Sequence, residues 1–177
     1  GGGNMNRRAL LGLGAALLVS GCLTGKEGTE YAVVSQKIGA PRPGHARIVI
    51  MSLKDSWLDR TNCDAKVDGV ALPRLLPGTY AYVDRPAGAH HVVATQLLFP
   101  GESYLDFTTE PGKTYFYSIR PSERSRAMQG GGIAFGLVGM GVMAAASSGA
   151  DNKGPVDFVP LQEGQAKTAL AELLQAE

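Results

Sequence analysis

The sequence predicts a mainly β protein: an antiparallel β-sandwich of about 7–8 strands, with a short C-terminal amphipathic helix and a Gly-rich apolar insertion. Three observations lead there. Runs rich in β-branched and aromatic residues recur at intervals of about 10–15 residues between Ala46 and Arg120. Turn chemistry separates them, at Pro77-Gly78, Pro86-Ala87-Gly88, Pro100-Gly101 and Pro111-Gly112. The 177 residues hold 24 Gly and 10 Pro at 7% aromatic content, which suits many turns and short strands rather than a helical bundle. With 44% hydrophobic residues, the chain is long enough for one domain plus appendages.

The N-terminal region is read as a targeting segment. Arg7 and Arg8 form a positive n-region and Ala9–Val19 an apolar h-region. Ser20 and Gly21 supply the small residues that end a secretory signal peptide, so 1–21 is assigned to it. The four residues before Met5 read as an extraneous addition. The apolar run is short for a membrane span, which needs about 20 residues.

The stretch Leu18-Val19-Ser20-Gly21-Cys22 resembles the lipobox of bacterial lipoproteins. That resemblance implies a diacylglyceryl group on the Cys22 thiol, cleavage before Cys22 and fatty acylation, as with palmitate, of the new amine. Several acyl chains at about 0.8 kcal/mol per buried methylene make an anchor that does not readily leave the bilayer. Leu23, standing where an inner-membrane retention signal would place Asp, implies an outer-membrane lipoprotein of the cell envelope facing the periplasm.

Loss of Arg7 and Arg8 takes Lys+Arg from 17 to 15 against 16 Asp+Glu, a net charge of about −1. No basic patch then points to nucleic acid. With Cys22 acylated, Cys63 has no partner for an internal disulfide and reads as a buried thiol or an intermolecular one.

Residues 22–44 read as a lipidated tether, polar over Lys26–Glu30 and extended around Pro41 and Pro43, with a short strand possible at Tyr31–Val34. The sandwich is assigned to 45–161. ARIVIMSL (Ala46–Leu53) opens it, and DAKVDGVALPRL (Asp64–Leu75) follows, with Asp68-Gly69 as a type I′ hairpin pair. GTYAYVDR (Gly78–Arg85), HHVVATQLLF (His90–Phe99), SYLDFTTE (Ser103–Glu110) and KTYFYSIR (Lys113–Arg120) come next, and VDFVPL closes the domain.

The order ARIVIM, AKVDGVAL, LPGTYAYVDRPAGAHHVVAT and FTTEPGKTYFYSIR resembles a family of bacterial lipoproteins of unknown function, and its layout is similar to the PEGA-type β-sandwich of envelope proteins. The element Pro86-Ala87-Gly88-Ala89-His90 is one residue longer than the usual form. The matching motifs are turns and core strands, so the resemblance implies a fold and brings no catalytic residues.

Residues 127–154 read as an insertion. Ala127–Ala150 is uncharged, and its 21 residues from Gly130 would span about 31 Å as a helix, close to a hydrocarbon core of about 30 Å. Its seven glycines from Gly130 on disfavour an isolated helix. Small residues at Gly132, Gly136, Gly141, Ala145 and Gly149 nevertheless recur as in close helix packing in lipid, and mark a candidate membrane or self-association surface. Because both flanks belong to one domain, a re-entrant or surface-lying segment, a bent hairpin or a Gly-rich loop outranks a single span. The final segment, 162–177, places Ala166, Leu170, Leu173 and Leu174 at helical spacing, an amphipathic helix expected to pack on the sandwich.

Motifs for chemistry are sparse. Gly112-Lys113-Thr114 has Phe107 where a phosphate loop needs Gly, and Gly139–Ala144 lacks the strand and helix that a dinucleotide fingerprint requires. His90 and His91, neighbours in a strand, point to opposite faces and do not share a metal, so no metal, cofactor or catalytic residue is assigned. Trp57 falls in a loop, where it folds over the sandwich edge or anchors a partner. The expected function is that of a non-enzymatic, lipid-anchored envelope protein, a binding or assembly accessory for an envelope protein or glycan. The alternative is a membrane-associated homo-oligomer assembled through the Gly-rich insertion.

Overall fold

The structure, a computed structural model, describes residues 36–54, 62–130 and 153–177. Its strands are β1 (His45–Ser52), β2 (Asp64–Val67), β3 (Val70–Ala71), β4 (Thr79–Pro86), β5 (Ala89–Thr95), β6 (Ser103–Thr108), β7 (Thr114–Pro121), β8 (Val156–Leu161) and β9 (Leu174–Gln175). Helix α1 covers residues 123–130 and helix α2 is Glu163–Glu172. The strands form a five-stranded sheet in the order β8-β7-β1-β4-β9 and a four-stranded sheet in the order β3-β2-β5-β6.

The molecule is mainly β with two facing sheets, as expected, but two pairings differ from the antiparallel expectation. β1 runs parallel to β7 and β4 parallel to β9. Between β1 and β7 the chain crosses to the small sheet twice and therefore returns beside β1 in the same direction. The expected hairpin at Asp68-Gly69 forms as β2 and β3, and the strand total rises because β9 is a two-residue strand that sequence periodicity does not register.

Strand β1 organises the core. It is buried from Ala46 to Ser52, as expected for a run covered on both faces. Ile48 and Ile50 face the small sheet and pack with Val67, Val92, Ala94 and Ile119. Val49 and Met51 face the other way, onto Tyr80, Phe116, Ala166, Leu170 and Leu173. Each side chain so removed from water contributes about 1.5–3 kcal/mol. The result is three layers: small sheet, large sheet, helix.

Helix α2 buries Ala166 and Leu170 and carries a capping box in which Gln162 and Gln165 satisfy each other's backbone. Leu173 is buried, but Leu174 leaves the helix and is 73% exposed, against the amphipathic expectation. The cause is β9: the chain turns extended at Leu173, and the Leu174 N–H donates to the Gly78 carbonyl. Residues 36–44, assigned to the tether, in part join the packed body. Ile38 is buried under α2, and the Lys37 ammonium donates to the Leu170 and Leu173 carbonyls, capping the negative end of that helix.

Strand directions define two ends. At the turn end lie the start of β1, the end of β4, the Asp68-Gly69 turn and the β6–β7 connection. At the loop end lie Ser52, Thr79, Pro121, Val156 and the 96–102 connection between β5 and β6.

Candidate functional site

The turn end closes around a histidine. Asp68 and Gly69 both take positive φ, 51° and 81°, which is the backbone of the type I′ turn. This geometry aims the Asp68 carboxylate at β5. There Oδ1 accepts the His91 N–H at 2.9 Å, and Oδ2 lies 2.8 Å from His90 Nδ1. On the far side of the ring, His90 Nε2 is 2.8 Å from Thr109 Oγ1. Arg85 stands 3.7 Å from Asp68 Oδ2. Burial alone would raise the Asp68 pKa, but the His91 N–H, the His90 ring and Arg85 together hold it below the usual carboxylate value.

Carboxylate, imidazole and hydroxyl in line is the order of a hydrolytic relay, a juxtaposition the sequence did not reveal because its members are brought together by strand pairing. Here the residue Thr109 is only 4% exposed, and its hydroxyl is also engaged with both backbone groups of Gly88. A substrate carbonyl has no approach to it. The chemistry available is that of a clasp joining the β2–β3 turn to the β6–β7 connection.

Two rungs into the large sheet, Arg47 and Asp84 face each other across β1 and β4. Arg47 grips Asp84 with two bonds, Nε to Oδ1 at 2.6 Å and Nη2 to Oδ2 at 2.8 Å, and lies over the Tyr82 ring at 4.5 Å. The Arg42 N–H also donates to Asp84, fixing the chain as it approaches β1. The Arg47 hydrogen bonds outweigh the opposing effect of burial, and with Arg42 they depress the Asp84 pKa.

Among the described residues no element packs on the outer face of the small sheet, where His91, Tyr104 and Asp106 are exposed, whereas the large sheet is covered by the small sheet on one side and α2 on the other. On the open face His91 stacks on Tyr104, with ring centroids 5.5 Å apart and planes 24° apart. Asp106 holds the His91 ring at 2.6 Å, and the Tyr104 hydroxyl donates to Glu102 at 2.6 Å. His90 points inward against Phe107 instead, so the two histidines occupy opposite faces, as their adjacency predicts. Among the described residues no group of three or more His, Cys, Asp or Glu is placed to hold a metal.

The loop end has a different character. Arg124 of α1 is 8% exposed and donates from Nη1 to the carbonyls of Pro100 and Lys153, while its guanidinium lies 5.4 Å from the Phe99 ring centroid. One side chain thus ties together the β5–β6 connection, α1 and the approach to β8. Gly154 lies so close to Ser103 that an added Cβ would overlap its N and Oγ. Beyond this staple, Leu97 and Leu98 are 72% and 89% exposed, and Leu98 adopts φ 65°. The predicted strand His90–Phe99 ends at Thr95 for this reason: Leu97 and Leu98 form a turn.

Other sequence expectations fall as follows. Cys63 is a free, fully buried thiol whose pKa is pushed up to about 12, first by burial and then by Asp64. Gly112-Lys113-Thr114 is a turn leading into β7. Cys22, Gly132, Gly136, Gly141, Ala145 and Gly149 lie outside the described residues, as do Tyr31–Val34 and Trp57. No helix among the described residues is long and apolar enough to cross a membrane. The chain matches no protein-family model, no curated protein and no solved structure.

Proposed function

We propose that the protein is a non-enzymatic, lipid-anchored module of the bacterial envelope whose open sheet face binds an envelope glycan. The lipobox-like stretch ending at Cys22 supports the anchor and the periplasm-facing, outer-membrane location. The observation that carries the binding role is the stacked His91–Tyr104 pair flanked by Asp106 and Glu102 on the open face. Sugar C–H groups carry partial positive charge and settle on the negative face of an aromatic ring. Carboxylates accept hydroxyl hydrogen bonds strongly. Side chains on a sheet face hold this pattern more rigidly than a loop would.

The test is co-sedimentation of the protein with purified insoluble peptidoglycan, alongside titration with soluble glycan fragments. Wild type binds, and Tyr104→Ala and Asp106→Ala each weaken binding about ten-fold, the effect of about 1.4 kcal/mol, without lowering the melting temperature. Absence of binding by wild type, or equal binding by the variants, overturns the reading.

A second reading has its own observation. The start of α1 is joined to residues 153 and 154, beyond the uncharged stretch, by Arg124 and by the Ser122 hydroxyl bond to the Gly154 carbonyl, which supports self-association through the stretch between them. Deletion of Gly130–Ala150 then abolishes crosslinked oligomers from native membranes; unchanged crosslinked size overturns it.

A further inference from the structure

Four of the five exposed large aliphatic side chains among the described residues lie toward the loop end, with Val70 alone at the turn end: Leu97 and Leu98 form an adjacent pair in the 96–102 connection beside α1, and Leu76 and Leu174 stand by the β4–β9 edge. Single exposed leucines need no explanation, but two adjacent ones, 72% and 89% exposed, do. Three independent features of the chain converge on the same pole. The chain enters the domain there, since Lys37 sits at the C-terminal end of α2 beside Tyr80. The uncharged stretch departs there from α1 and returns there at Lys153. The 96–102 connection projects there, with Leu98 held in a left-handed conformation that a leucine adopts only at a cost of about 1–2 kcal/mol. Strain of that kind persists where the surrounding structure imposes it, and it marks functional positions.

We infer that the loop end is the membrane-facing pole of the domain and that Leu97 and Leu98 enter the lipid surface. The occupant is a bilayer rather than a protein groove, because the same pole receives a tether and an uncharged stretch. Gln36 lies fourteen residues beyond Cys22, a reach of at most about 50 Å, so an anchored chain keeps this entry point within that distance of the membrane and lets the pole meet the headgroups. Exposed cations Lys54, Arg120, Arg126 and Lys153 share the pole with the exposed acids Glu102, Glu123 and Glu172, a near balance that leaves apolar contact as the driving force. The turn end, with its His90 clasp, then faces away from the membrane, and the open sheet face stands roughly upright beside it. The orientation rests on the lipid-anchor reading of Cys22; the affinity of the tip for lipid does not.

Two arms separate these. In the first, the chain from residue 22 onward with Cys22→Ser is mixed with phosphatidylethanolamine/phosphatidylglycerol vesicles, and bound protein is measured by flotation. Replacing Leu97 and Leu98 by Asp lowers partitioning about ten-fold or more without lowering the melting temperature, because both side chains are exposed and Asp adopts a positive φ more readily than Leu. Equal partitioning overturns lipid entry, whatever the state of Cys22.

In the second, the lipidated protein is reconstituted with an environment-sensitive label at Leu98→Cys or, as control, Val70→Cys. Nitroxides on the lipid chains quench the first label and spare the second. Equal quenching at both positions overturns the orientation. A native N-terminal peptide without acyl mass overturns the anchor reading alone and leaves the first arm standing.

Discussion

The two ends of this sandwich solve the same problem, closing a β-structure against water, in opposite ways. At the turn end charged side chains pair, Asp68 with His90 and Asp84 with Arg47, although the buried Arg85 Nε, 3.7 Å from Asp68, has no hydrogen-bond partner. At the loop end the buried Arg124 leans on backbone carbonyls and a ring, its Nε likewise without a hydrogen-bond partner, and leucines stand in solvent. An end that exposes leucine and holds one in a strained conformation is arranged for something outside itself.

The largest expected effect lies at the paired end. Asp84→Asn leaves the Arg47 guanidinium, 9% exposed, with no carboxylate. Removing one member of a buried pair costs about 3–5 kcal/mol, and we expect the low side, about 3 kcal/mol, because the amide retains one acceptor. Urea denaturation monitored by near-UV circular dichroism measures it, and a loss under about 1 kcal/mol would refute the pairing. The pH dependence has a definite sign. The folded pKa of Asp84 is depressed, so its contribution is in place above the ordinary carboxylate value of about 4 and is lost as pH falls through the lower folded value. Wild type therefore loses stability on acidification below about pH 4, and Asp84→Asn flattens that slope.

The clasp provides a smaller and more local contrast. Asp68→Asn removes a carboxylate whose side chain is about one third exposed, so solvent screening reduces the charge-assisted value to about 1–2 kcal/mol. The sign is the same as for Asp84, since the Asp68 pKa is also lowered: the stabilisation is present above about pH 4 and fades below it. Amide hydrogen exchange reads the locality. The Gly88 and Thr109 amides, which bond each other's carbonyls, lose protection in the variant, while amides of α1 at the opposite pole keep theirs. Uniform loss across both ends would show that the clasp acts on global stability instead.

The contrast between the ends also sets what was legible in the sequence. The Asp68-Gly69 turn was readable because a type I′ turn is a property of two adjacent residues, and the strands because alternation and turn residues are local. The role of Asp84 was not. TYAYVDR places Tyr80, Tyr82 and Asp84 on one face, but only the covering by α2 and residues 36–44 makes that face interior. The parallel neighbour of β1 was equally hidden, because periodicity carries no strand direction. Thr109 and His90 meet through pairing of β5 with β6, and nothing near either residue announces it. At the loop end, QLLF reads as the continuation of a strand; the positive φ of Leu98 comes from the turn that the 96–102 connection must make.

The smallest effect is the one that most sharpens the contrast. Leu98→Gly removes a side chain that is 89% exposed and relieves a positive φ of 65°. Relief of left-handed strain is worth about 1–2 kcal/mol, and the greater freedom of glycine in the unfolded chain takes back about 0.4–1 kcal/mol. The net is a gain of about 0.5 kcal/mol, or about 1–2 °C in melting temperature for a domain of this size. Most substitutions of large residues destabilise, so a variant that folds better while floating less with vesicles would separate the function of the leucine from its structural role. A fall in melting temperature would show that Leu98 is held by packing and that the turn is at ease. The analogous change at the turn end, Asp68→Gly, offers no such exchange, because there the positive-φ residue also carries the carboxylate that His90 and His91 require.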